Sequence, residues 1–396
     1  MNKEINKETN KETNKETNKE TKKEINKAIN SEDKNSIVLY GVSKVEYGAE
    51  GCTPYPMCLK SCANYLGQDV ERDFTMVSTG AAFRLNWDTT SWNGGNVDVI
   101  HTFDNPETIY RLGVEALGRE FNMITRNNKS CDVKFGSTYN SDTKADFIEF
   151  IKNQIDKGHP CIALGIIGPA EACIITGYKE NGNILLGWNF FQDAIEFAAG
   201  IKIDESGYFM SDQWWENNDT AAVISMGEKN KSLISNKKII DNAIKVMTGR
   251  NDIKSGKSFA KGISAYDSWK RAILNEADFS VTVLPVLAER LMCHGDAMDC
   301  LADGRNNGAI FMKKLSEEWK EQSDVCHSIE NQFLKVTENV WKMAEVLGGY
   351  ERNEKQMINF AKTEVRKQLA VLIEECKIAD SKALEGLIQL SKSISI

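Results

Sequence analysis

The stretch GHPCIALGIIGPAEACIITGYKENGNILLGWNFF, Gly158 to Phe191, decides the fold. It holds three runs rich in Ile, Leu and aromatic residues, Pro160–Ile167, Ala172–Tyr178 and Ile184–Trp188, each bounded by Gly, Pro or Asn. Such punctuation predicts short buried strands. Lys179-Glu180-Asn181-Gly182-Asn183 joins the second run to the third, and its Asn-Gly pair supplies the positive φ of a tight hairpin. Glu171 stands where the Gly168-Pro169 turn feeds the middle strand, so its carboxylate is expected at the mouth of the sheet, where sites are built.

Outward from this sheet the signals are helical. Upstream, Thr53-Pro54 opens and Gly67 closes a run whose Met57, Cys58, Cys62, Tyr65 and Leu66 recur at three- and four-residue spacing. This predicts a helix buried on one face, with Thr53 as N-cap and Pro54 at the first turn. Ser36–Tyr40 reads as a first strand, and 105–117 and 144–157 read as amphipathic helices. Gly207–Met210 and Ala221–Met226 add two strands, with Trp214-Trp215 between them. From about residue 236 the pattern is helical only: 237–247, 262–275, 286–301, 307–322, 328–347 and 354–377. The fold class expected is α+β, a mixed domain over 35–230 followed by an all-α helical domain over 231–396. Residues 1–34, dominated by an Asn-Lys-Glu-Thr repeat with almost nothing apolar to bury, read as a low-complexity disordered tail.

The totals restrict function. A formal charge of −8 argues against nucleic acid, which needs a basic face. No apolar run approaches the ~18 residues of a membrane span, and ten cysteines in 396 residues are too dilute for a disulfide scaffold. A cytoplasmic protein with reduced thiols is expected. A homodimer through the helical half is a further expectation. Gly256-Lys257-Ser258 imitates a phosphate-binding loop, but position 251 is Asn where that loop requires Gly.

Cys52 precedes the first helix, where the dipole favours a thiolate, and is the best-placed nucleophile; Cys58 lies a turn further in, and both are catalytic candidates. Cys62 and Cys58 also suit inert core packing. The spacing of Cys52, Cys58 and Cys62 with no neighbouring His does not make a metal site, and neither metal nor cofactor is expected. Of four histidines, His159 at a strand entrance is the one placed to reach a site, although its position before Pro160 suits a surface-turn histidine better.

Together, Asn64–Gly67, Ser78–Phe83, Asp156–Pro160, Ile175–Tyr178 and Gly187–Asn189 resemble the papain-like cysteine peptidase fold, most closely the bacteriocin-processing peptidases and the N-terminal domain of the BtrH acyltransferase family of butirosin biosynthesis. Gly262–Trp269 and Arg305–Phe311 resemble the helical domain that follows in BtrH-like proteins. The resemblance spans about 37–378. It implies a Cys at the helix start attacking an acyl group, a His at the head of the second strand accepting its proton, and an Asn or Asp on the third strand orienting that His. In this chain the nucleophile position falls near Pro54, two residues after Cys52; the His position holds Glu171; and Asn189 occupies the third. Gly80, Phe83, Tyr178, Trp188 and His159 are the implied substrate-binding residues.

The activity the resemblance implies is that of an acyltransferase or amide hydrolase acting on a small-molecule or carrier-bound acyl substrate. Glu171 alters it, because a carboxylate beside a thiol disfavours the thiolate. The alternative expectation is a catalytically degenerate papain-like domain whose cleft binds a ligand, Glu171 pairing with an amine.

Overall fold

A computed structural model describes residues 35–48, 51–127, 135, 139–230, 234–249, 252–254, 257–280 and 283–394. The N-terminal repeat lies outside them. The described chain is mixed α and β, with an antiparallel sheet and a helical C-terminal region.

The sheet grows from the expected hairpin. Strands β4 (Cys161–Leu164), β5 (Ala172–Lys179) and β6 (Ile184–Trp188) pair antiparallel, Cys161 opposite Ile175 and Ile174 opposite Trp188. Asn181 and Gly182 adopt φ of 57° and 97° in the connecting turn, as the Asn-Gly pair requires. β9 (Ala222–Lys229) pairs with β4 and with β3 (Arg119–Thr125), while β8 (Phe209–Ser211) and β7 (Lys202–Ile203) extend the far side. β1 (Ile37–Val38) pairs with β5 beyond the end of β4, opposite Gly177 and Tyr178. A side chain at Gly177 would meet the Ile37 carbonyl at 2.5 Å, so the Thr-Gly-Tyr glycine is there for backbone approach.

Alternation along the strands sorts the two faces. Ile162, Leu164, Ala172, Ile174 and Leu186 join one core with Cys58, Cys62 and Leu59 of α1 (Pro54–Tyr65). Cys161, Ala163, Cys173, Ile175 and Val223 point the other way, onto Phe147, Ile151 and Ile155 of α4 (Lys144–Ile155) and onto Trp214. Helices α2 (Arg72–Thr79) and α3 (Glu107–Ala116) complete the first face.

The helical region consists of α5 (Asn236–Thr248), α6 (Ile263–Leu274), α7 (Leu284–Glu318), α8 (Ser323–Leu347), α9 (Glu354–Phe360) and α10 (Thr363–Ser393). It packs on the first half: Phe311, Phe333 and Leu387 share the core of the sheet's α1 face with Phe83. Two expected helices fuse into the 35-residue α7, about 50 Å long. Gly304, in the gap between the two expected ranges, lets α7 pass the Ala82 carbonyl, 2.7 Å from where a Cβ would stand. The single helix expected over 354–377 is in fact two, because the extended ψ of 126° at Lys362 interrupts it before α10 begins.

The region after 236 also contains strands where only helices were expected. β10 (Asp252–Lys254) and β11 (Lys257–Lys261) form a hairpin, and β11 pairs with β2 (Asn86–Asp88). These strands are too short for their periodicity to register, and their partner lies about 170 residues upstream. Among the described residues no helix is long and apolar enough to cross a membrane.

Candidate functional site

Where the leading end of α1 meets the head of β5 and the face of α7, a cleft of about 830 Å³ opens. Cys52 and Glu171 both line it, with Tyr47 between them. The cysteine-bearing helix thus does point at the carboxylate.

The thiol end is organised by Asp303 of α7. Its Oδ2 accepts from the Thr53 hydroxyl at 2.8 Å and the Cys52 amide at 3.3 Å, with the Cys52 thiol at 3.4 Å. Its Oδ1 accepts from Arg72, in a close ion pair, and from Asn307 at 3.2 Å. Thr53 has the extended backbone of an N-cap, but its hydroxyl goes to Asp303 and not to the helix. An anion at a helix N-terminus is favourable; beside a thiol it has the opposite effect on ionisation. Burial, then the carboxylates of Asp303 and Asp299, push the Cys52 thiol far above its ordinary range, against a weaker pull from Arg84. Cys52 is nevertheless the one half-exposed cysteine among the nine described.

The other end is carboxylic. Tyr47 donates to Glu171, and its ring packs on Phe190 at 4.7 Å. Glu171 is presented by a turn in which Ile166, a β-branched residue, sits at φ 74°. That conformation is strained, and it is held by Asn189, whose side-chain amide donates to the carbonyls of Gly165 at 3.1 Å and Ile167 at 3.3 Å. Burial raises Glu171 above the carboxylate range, the Asp296 charge adds to it, and the Tyr47 hydroxyl opposes it. Asp98 is raised for the same first reason and then by Glu171, with Arg84 opposing.

Five carboxylates, Asp98, Glu171, Asp296, Asp299 and Asp303, line the cleft against three guanidiniums, Arg72, Arg84 and Arg352. Arg352 is bound by Asp296 at 2.6 Å and by Asp299, and Arg72 by Asp303. Among the described residues lining the cleft, Asp98 and Glu171 are then left with Arg84 as their guanidinium, one positive charge short.

The remaining residues expected at the site lie elsewhere. Cys58 is fully buried in the core under α1, its thiol pushed up by burial. Asn189 positions the turn behind Glu171 and does not line the cleft. Gly80 is the left-handed C-cap of α2, against Phe103, and Phe83 packs on Phe333 at 6.0 Å. Tyr178 donates to Asp156, and the Trp188 indole donates to the Val42 carbonyl, both at the far end of their strands from Glu171 or off the cleft. His159 is nearly buried at the start of β4, its pKa lowered by burial. None of the four histidines lines the cleft.

Sequence reasoning missed the helical wall. Asp296, Asp299 and Asp303 recur every three or four residues along α7, with Cys300 on the same side, an acidic stripe that was there to be read. Asp98, Arg84, Trp341, Tyr350 and Arg352 carry no comparable local signal.

Among the described residues no group of three or more His, Cys, Asp or Glu is placed to hold a metal ion. No protein-family model and no curated protein matches this chain.

Proposed function

We propose that this protein is a papain-like domain turned to ligand binding, whose cleft holds a small amine by pairing its ammonium group with Glu171 and Asp98. The observation that carries the reading is the charge imbalance at the cleft floor, where among the described residues two half-buried carboxylates face one guanidinium beside a thiol that has no imidazole partner. A cation entering there supplies the missing charge and is paired as it is desolvated, the condition under which a buried ion pair is favourable. Papain-like ancestry is supported by a cysteine-led helix lying on an antiparallel sheet, its N-terminus toward the head of the middle strand.

The pH dependence has a definite sign. In the free protein the raised carboxyls favour the fold below the ordinary carboxylate value of about 4 and lose that contribution as the pH rises through their folded-state values. An ammonium ion requires the charged form. Affinity for propylamine, 1,4-diaminobutane and phenethylamine is therefore expected to rise as the pH is raised from about 4.5 to 7.5, with protons released on binding, measured by calorimetry in buffers of different ionisation enthalpy. Amines that produce no binding heat and no thermal shift at any pH in that window would refute the reading.

Thiol-dependent acyl transfer is the second reading, favoured by Cys52 being the accessible cysteine and standing in the cleft. It requires an enhanced thiolate, which the Asp303 and Asp299 charges oppose. Under the binding reading Cys52 is expected to alkylate with iodoacetamide at pH 7 at least about tenfold more slowly than a free thiol of ordinary pKa about 8.5. Peptide mapping by mass spectrometry measures this, and a Cys52 faster than free cysteine would restore the acyl-transfer reading.

A further inference from the structure

Besides its carboxylates the cleft is lined by aromatic side chains, Trp341 and Tyr350 among them. Trp341 of α8 lines it and is 56 % exposed, the only tryptophan of eight on the surface. It meets Tyr350 edge-on, ring centroids 4.9 Å apart at 65°. An exposed indole at the wall of a concave site is an unfilled contact surface, since aromatic side chains gain most when both faces are covered.

Tyr350 adds a second signal. Its hydroxyl is buried without a hydrogen-bond partner, although a phenol in such a position ordinarily has one. Burial and then the Asp299 and Cys52 charges push it up to about 12, so it is a donor at every working pH. Tyr350 is also held in place. The loop from α8 turns through Gly348 and Gly349, at φ of 90° and 133°, and is pinned by Arg352, at φ 53°, to Asp296 and Asp299. Gly295 makes this possible, because a Cβ there would stand 2.5 Å from the Arg352 guanidinium. Shared neighbours order the cleft. Glu171 touches Tyr47, Tyr47 and Tyr350 both sense Cys52, and Tyr350 touches Trp341.

We infer that the ligand is an amine with an aromatic body, its ring stacked on Trp341 and a carbonyl or similar acceptor taken by the Tyr350 hydroxyl. This rests on the amine reading above and names the molecule that fits it. A bare alkylamine reaches the carboxylates but leaves most of an 830 Å³ cleft empty.

Calorimetric titration of propylamine, phenethylamine and phenylalaninamide into the full chain, and into Trp341→Ala and Tyr350→Phe, tests it. In the wild type phenethylamine is expected to bind about tenfold more tightly than propylamine, and phenylalaninamide several-fold more tightly again. Trp341→Ala should erase the advantage of the ring while leaving propylamine within about twofold. Tyr350→Phe should erase only the advantage of the carbonyl. Trp341 is a surface residue and Tyr350→Phe is isosteric, so both variants retain the fold. If propylamine binds and the ring adds nothing, or its advantage survives Trp341→Ala, the aromatic inference is wrong and the amine site stands. If none of the three binds, both fall together.

Discussion

Glu171→Gln is expected to abolish most amine binding while leaving the folded protein as stable as before or more so. The substitution keeps the shape of the side chain, and the Gln carbonyl oxygen still accepts from Tyr47. What it removes is the charge. Losing one partner of a desolvated, hydrogen-bonded ion pair costs about 2–3 kcal/mol, or roughly 30- to 150-fold in affinity. Stability moves the other way, because a carboxyl raised by burial is costly to ionise at neutral pH in the free protein. Calorimetry gives the first quantity and urea unfolding at pH 7 the second. A variant that binds amines as well as the wild type would place the cation elsewhere. One that loses both binding and stability would make Glu171 a structural residue.

The largest loss of stability is expected at Asp380. Arg305 and Asp380 are 1 % and 0 % exposed and form a bidentate pair, with the Arg305 Nε donating at 3.0 Å and Nη2 at 2.6 Å. Arg305 also donates to the carbonyls of Ala82 at 2.8 Å and Arg84 at 3.1 Å, and Tyr266 donates to Asp380 at 2.7 Å. The pair therefore ties α7, α10 and α6 to the turn that carries Arg84 toward the cleft. Asp380→Asn leaves a guanidinium buried without its counter-charge, a defect worth about 3–5 kcal/mol. Replacing both residues, Arg305→Met with Asp380→Leu, removes the charge together with its partner and should recover a large part of that loss. Urea midpoints of the single and double variants measure the difference. Equal midpoints for Asp380→Asn and the wild type would show that the pair contributes nothing to holding the helices on the sheet.

How much of this was legible in the sequence follows from the range of the forces involved. The hairpin around Asn181-Gly182 and the helix opened by Thr53-Pro54 were readable because turn chemistry and capping act within a few residues. That Cys52 and Glu171 line one cleft was an expectation drawn from a resemblance, since periodicity carries no long-range geometry. The fusion of the helices expected over 286–301 and 307–322 was not legible, because Gly304 stands between them. A glycine inside a helix signals either a break or a close approach, and only the position of Ala82 distinguishes them. Asn189 kept a role next to the expected one, supporting the turn behind Glu171 where it was expected to orient an imidazole. The wall formed by Asp296, Asp299 and Asp303 was not among the expected site residues. Its spacing was visible, but not the fact that the face is turned toward Cys52 more than 240 residues away.

The central claim is that carboxylates, and not the thiol, run this cleft. Titrating phenethylamine at pH 7 into the wild type and into Cys52→Ala tests it most directly, with Glu171→Gln in the same series. The account predicts affinities within about twofold for the wild type and Cys52→Ala, against a loss of at least about 30-fold for Glu171→Gln. Binding lost in Cys52→Ala and kept in Glu171→Gln would contradict it.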